Sequence, residues 1–257
     1  MSDNLQPRGS DDASFAQPLY TPIKRRSFFM YAGATAGATA LVLAGCSKDS
    51  DPVVTNNLID VGSGDTGVLN YAYALEQLEA GFYTALRDGS YYKGLGANSA
   101  EKLILDDLYY HEVIHREFFK AAITSGRIND SLKPDFSKVD FSSRTSVLGT
   151  AKAFEDLGVA AYNGAGQYIT SPLYLTLAGK IVSVEARHAA IIRDLVKEGD
   201  FVGNDIVTLT SANASASAGG AAPSGSSVER SMTPTEVVNV ANGFLAEGSK
   251  LNVSGLK

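Results

Sequence analysis

Two tetrads constrain this chain more than any other feature: Glu112-Val113-Ile114-His115 and Glu185-Ala186-Arg187-His188. They hold two of the three histidines in 257 residues. Three residues of α-helix turn about 300°, so in each tetrad a carboxylate and an imidazole leave one face about a turn apart. Such a pair can grip one metal ion. Taken alone, Glu112/His115 reads better as a solvated helix pair.

The spacing of other carboxylates turns the tetrads into a set. Glu76 is followed seven residues later by Tyr83, and Glu155 seven residues later by Tyr162. No other glutamate has tyrosine at that distance. Seven residues make nearly two helical turns, so each Glu and its Tyr share a face roughly 10 Å apart. The order along the chain is Glu-x6-Tyr, Glu-x-x-His, Glu-x6-Tyr, Glu-x-x-His. A bundle with an approximate twofold axis would bring four carboxylates and two imidazoles to its centre, enough for two divalent ions. Without metal, four buried carboxylates would repel and stay partly protonated. Glu79 competes with Glu76 for the inward position. His111, four residues before His115, reads as a packed or surface histidine. Asp106, Asp107 and Glu117 read as solvated or locally paired. Tyr91, Tyr92, Tyr109, Tyr110, Tyr168 and Tyr174 read as packing residues.

Hydrophobic periodicity predicts long helices over about 66–87, 97–125, 143–169 and 172–198. Asp65 is the expected first N-cap, Asp88-Gly89 the first stop, and Ser171-Pro172 a cap followed by proline at the first helical position. Glycines 149, 158, 164 and 166 weaken the third helix, so packing must hold it. Residues 126–142 read as a long crossover. Residues 88–97 read as a Gly/Tyr-rich loop. Residues 200–232 are polar, with an Ala/Ser/Gly centre unable to bury enough surface to order itself. Thr233-Pro234-Thr235-Glu236 announces a short helix over about 235–246. No strand pattern is convincing. The expected fold is all-α: two helix pairs joined by a long crossover, with a short extra C-terminal helix.

At this point the chain resembles the ferritin-like superfamily over about residues 62–200. Leu69-Asn70-Tyr71-Ala72-Tyr73-Ala74-Leu75-Glu76-Gln77-Leu78-Glu79-Ala80-Gly81-Phe82-Tyr83 is similar to the first helix of the bacterial ferritin-like domain family that includes desiccation-related proteins. The resemblance implies a ferritin-like four-helix bundle holding two iron or manganese ions. It implies that Glu112 and Glu185 bridge the ions, that Glu76 and Glu155 are terminal ligands, and that His115 and His188 bind one ion each. Tyr83 and Tyr162 would be hydrogen-bonding or redox groups beside them.

Ahead of the bundle, Lys24-Arg25-Arg26-Ser27-Phe28-Phe29 opens a largely apolar run that ends in Leu43-Ala44-Gly45-Cys46. A basic start, an apolar stretch and a small-residue site read as an export signal over residues 1–45. Arg25-Arg26-x-Phe28 resembles a twin-arginine signal, and Leu43-Ala44-Gly45-Cys46 resembles a bacterial lipobox with Cys46 as the lipidated residue. The alternative is a retained transmembrane anchor. Cys46 is the only cysteine, so no intramolecular disulfide can form. Residues 46–64 read as a flexible tether, 65–199 as the bundle and 200–257 as a low-complexity segment with the short helix. Of 22 basic and 28 acidic residues, four and three lie in residues 1–45. The remaining 18 and 25 give residues 46–257 a net charge of −7, which disfavours nucleic acid as a partner.

The expected protein is thus a lipid-anchored metal binder of the bacterial envelope, at the periplasm, outer membrane or cell surface. It would be a monomer or small homo-oligomer. Its ions could oxidise Fe(II) or remove peroxide, with O₂ or peroxide as partner. The alternative is a non-enzymatic tethered scaffold or stress protein whose metal site is vestigial or structural.

Overall fold

The computed structural model describes residues 58–207 and 228–256. All of them belong to one of the two compact units of the chain, Cys46–Lys257. The expected export signal, Cys46 and the tether as far as residue 57 lie outside the described residues, as does the low-complexity centre at 208–227.

The elements in order are β1 (Ile59–Asp60), α1 (Gly64–Asp88), α2 (Ser90–Gly94), α3 (Ala100–Ala122), α4 (Arg144–Ala165), α5 (Pro172–Val196), α6 (Pro234–Ala241) and β2 (Leu251–Asn252). Single 3₁₀ turns follow α4 and α6. Helices α1 and α3 form one closely packed pair and α4 and α5 the other; α1 against α4 joins them. The expected all-α bundle of two pairs is therefore the fold.

Side-chain caps start three of these helices. Ser99, Ser143 and Ser171 each accept a hydrogen bond from the backbone three residues on, and Pro172 follows the last. Thr233 and Glu236 form a reciprocal capping box at α6. The start of α1 departs from expectation. Its N-cap is Ser63, and Asp65 lies in the first turn. The Asp65 carboxylate instead accepts from the backbone of Thr170 and Ser171, tying the start of α1 to the start of α5.

Two further expectations need correction. The presumed tether does not run to residue 64: Ile59 and Asp60 pair in parallel with Leu251 and Asn252, and Val61 is buried. A strand of two residues carries no readable period, so its sequence gave no sign of it. The loop expected at 88–97 contains the short helix α2. Within it Tyr92 is buried and its hydroxyl donates to Asp106 at 2.6 Å.

Helix α1 is buried on nearly every face. Two of its polar residues do work that leucine could not. Asn70 donates to the carbonyls of Val61 and Gly126 and accepts from the Ile128 amide. Gln77 donates to the Asn129 carbonyl and accepts from the Leu132 amide. The crossover's buried backbone groups thus find partners in α1 side chains. Farther on, Pro134 pairs with Leu245 in an isolated antiparallel bridge. The weak helix former Gly164 has a packing reason: a Cβ there would collide with the Met232 carbonyl, whose amide bonds Ala160 at 3.0 Å.

A candidate metal centre

The four long helices each send one glutamate to a common point. Glu76 comes from α1, Glu112 from α3, Glu155 from α4 and Glu185 from α5, and all four are fully buried. His115 and His188 join them with 8% and 3% exposure. These are the six residues that the repeated spacing singled out. Their ligand-capable atoms form two overlapping groups, each with all atoms within 4.8 Å of one another. One group is Glu76, Glu112, His115 and Glu185; the other is Glu112, Glu155, Glu185 and His188. Glu112 and Glu185 belong to both.

The tyrosines cross between helices. Tyr83 of α1 donates to Glu155 Oε1 of α4 at 2.5 Å, and Tyr162 of α4 donates to Glu76 Oε1 of α1. Each Glu-x6-Tyr pair therefore serves the opposite helix rather than itself, which requires α1 and α4 to run antiparallel. This arrangement fixes the rotamers of Glu76 and Glu155 and leaves each with one free oxygen.

Those free oxygens decide whether the residues suit a metal. Among the described residues, Glu76 Oε2, Glu155 Oε2, both oxygens of Glu112 and Glu185, and Nδ1 of His115 and His188 are buried without a hydrogen-bond partner. His115 Nδ1 lies 2.7 Å from Glu185 Oε1, and His188 Nδ1 lies 2.8 Å from Glu112 Oε1. Neither approach aligns as a hydrogen bond. Leaving so many buried polar atoms unmet is costly unless something between them accepts their lone pairs. Oxygen-rich donors with two imidazoles suit a divalent transition metal, so the donor set fits a dinuclear centre.

Without an ion, protons must balance the charges. Burial lowers the two histidines, but the surrounding carboxylates outweigh it and raise both well above the usual range. Burial and the charge of Glu185 raise Glu112; burial also raises Glu155 against the pull of His188. Burial works to raise Glu185 as well, yet the close imidazoles of His115 and His188 bring it down to about 2. The opposite shifts of Glu112 and Glu185 describe one coupled cluster rather than two separate acids. Burial, then Glu155 and Glu76 respectively, keep the Tyr83 and Tyr162 phenols protonated.

Glu79 does not join the cluster. It is buried between α1 and α4, with its Oε1 2.9 Å from where a Cβ of Gly158 would sit. Burial, followed by the charges of Glu112 and Glu185, raises its pKa. Aligning Glu76 with Glu155 places Glu79 against Gly158, so the carboxylate fills the gap its own repeat position left open.

The sequence reads His111 as a packed or surface residue. It lies near the surface, and its ring stacks on His188 at 5.1 Å with Nδ1 2.8 Å from His188 Nε2. Only its one-turn distance from His115 hinted at this position. Burial and the neighbouring His188 and His115 hold it below the ordinary histidine range. A neutral His111 can accept from His188 Nε2–H, an orientation in which Nδ1 would be the His188 nitrogen available to a metal ion. Two of the tyrosines read as packing residues also do more. Tyr91 bonds Glu101, and Tyr92 bonds Asp106, which also pairs with Arg87 at 3.0 Å.

An all-α bundle of two helix pairs around a buried Glu/His cluster defines the ferritin-like class. The chain belongs to the ferritin-like domain family, whose sequence model matches residues 64–198. No curated protein matches it.

Proposed function

We propose that the centre holds two divalent metal ions and uses them in redox chemistry with dioxygen or peroxide. The orphaned donor atoms carry this reading: two overlapping buried groups of them share Glu112 and Glu185. Those two carboxylates, with both oxygens free, would bridge. Glu76 and Glu155, each with one oxygen held by tyrosine, would be terminal ligands. His115 and His188 would hold one ion each through Nδ1. Iron and manganese both suit this donor set.

A bound redox pair supplies two electrons at one place. With Fe(II) as substrate, two ions lose one electron each; dioxygen takes both electrons and two protons and leaves as hydrogen peroxide. The protein's own part is to orient the carboxylates, exclude water and keep the Tyr83 and Tyr162 protons in place. The N-terminal pattern supports an envelope location in which lipidated Cys46 tethers the domain. Among the described residues no helix is long and apolar enough to cross a membrane.

Elemental analysis tests the reading. Purified wild-type protein is expected to carry about two ions per chain. The double variant Glu112→Ala, Glu185→Ala is expected to carry essentially none while keeping its helical circular dichroism. Equal metal in both proteins would overturn the proposal.

A further inference from the structure

Beside the metal cluster lies an apolar cavity of about 30 Å³ between all four long helices. One water needs about 10–15 Å³ on this measure, together with two to four polar partners. The walls offer almost no polar surface. The space therefore fits a diatomic molecule better than a hydrocarbon chain. It stands one side chain away from the centre. Tyr162, which bonds Glu76, forms part of the wall, as does Leu75 next to Glu76.

The internal repeat shows how the cavity is made. Aligning Glu76 with Glu155 and Glu112 with Glu185 exchanges the two ends of the bundle. At the cavity end the wall contains Ala122, Ala161, Ala165 and Ala178. Their counterparts at the other end are Leu195, Phe82, Leu86 and Leu105. Phe82, Leu86 and Leu105 are at most 1% exposed, and Leu195 packs against the same core. At four positions one end has alanine where the other has a large side chain. Protein interiors are close-packed, and a void opened by truncation costs stability. Such a void in one half of a repeat, against the cluster, calls for an occupant.

We propose that this cavity is an apolar binding site for molecular oxygen, from which the adjoining metal centre is supplied. The role of oxygen rests on the redox reading above; the existence of a gas site does not. Dioxygen is small and apolar, and it partitions into apolar space of this kind.

Two measurements separate the claims. Crystals of the full chain pressurised with xenon are expected to show the gas bounded by Ala122, Ala161 and Ala178. Ala161→Phe, copying Phe82, should abolish that site. Ala178→Leu, copying Leu105, is the milder variant if the first does not fold. Absence of xenon from the wild-type cavity, or its persistence in a folded filled variant, overturns the gas site. For the oxygen role, stopped-flow oxidation of Fe(II) is followed against dioxygen concentration. The half-saturating concentration should rise about tenfold in the filled variants, with anaerobic Fe(II) binding unchanged. An unchanged oxygen dependence overturns the supply role and leaves the redox reading standing. A wild-type protein that binds Fe(II) but never oxidises it removes the redox reading and the oxygen role together, while the xenon result still decides the gas site.

Discussion

The two helix pairs agree at the centre and disagree around it. α1 and α4 each bring a glutamate and a tyrosine, while α3 and α5 each bring a glutamate and a histidine. One step outward the repeat breaks. Glu79 faces Gly158, His111 corresponds to Val184, and Lys120 corresponds to Arg193. A pair of ions, as proposed, would impose the same requirement on both halves, and the Glu and His positions of the cluster match. The surrounding shell meets different neighbours and is free to diverge. At the filled end Phe82 contacts Phe136 and Phe141 of the crossover and Phe154, which meets Phe244 near the C-terminus at 4.7 Å. The other end has the cavity.

The largest expected effect comes from the Lys120/Arg193 pair. Arg193 is buried, donates to Asp156 at 2.7 and 2.8 Å, and holds Asp205 of the segment after α5 at 3.0 and 2.7 Å. Removing Arg193 takes two bonds from buried Asp156 and leaves it only Lys152, so Arg193→Ala should cost about 2–3 kcal/mol in urea unfolding. Lys120 pairs with Asp130 at 3.4 Å on the surface, and Lys120→Ala should shift stability by no more than about 0.5 kcal/mol. Equal losses would mean that the two halves are anchored alike.

A smaller effect belongs to the His111/Val184 pair. Groups that orient a ligating histidine are worth about 10–100-fold in metal affinity. Chelator competition should therefore resolve a tighter and a weaker ion in the wild type. His111→Val, which copies the other half, should weaken the tighter one by about tenfold. If both ions bind alike in wild type and variant, His111 does not distinguish them.

The Glu79/Gly158 pair should give the smallest change. Glu79 has its pKa raised on folding. A group of that kind gives its full stability below its unfolded pKa of about 4.3, and the contribution is lost as pH rises through the folded value. Glu79→Gln should therefore stabilise the metal-free protein by roughly 1–2 kcal/mol at alkaline pH, with the gain vanishing near pH 4. Metal content should not change. A variant that loses metal would make Glu79 a ligand after all.

Helix periods and caps were legible because they are local. Ser171-Pro172 and the Thr233/Glu236 box state a helix start within four residues. The Glu/His cluster was legible because spacing fixes which side chains share a helix face. The choice of Glu76 over Glu79 leaned on Tyr83, and the structure places only Glu76 in the cluster. The β1–β2 pairing had no local signal, since its two strands lie nearly two hundred residues apart with two residues each. The position of His111 against His188 depends on how α3 meets α5, which no spacing within one helix records.

The sequence by itself determined four helices, six metal-capable side chains and the faces they occupy, because helical geometry converts spacing directly into direction. Only the tertiary structure decided which helix each tyrosine serves, which carboxylate oxygens stay free, where Glu79 rests and which end of the bundle has a cavity. Those outcomes depend on distances between helices, which packing sets and a single helix's period does not contain.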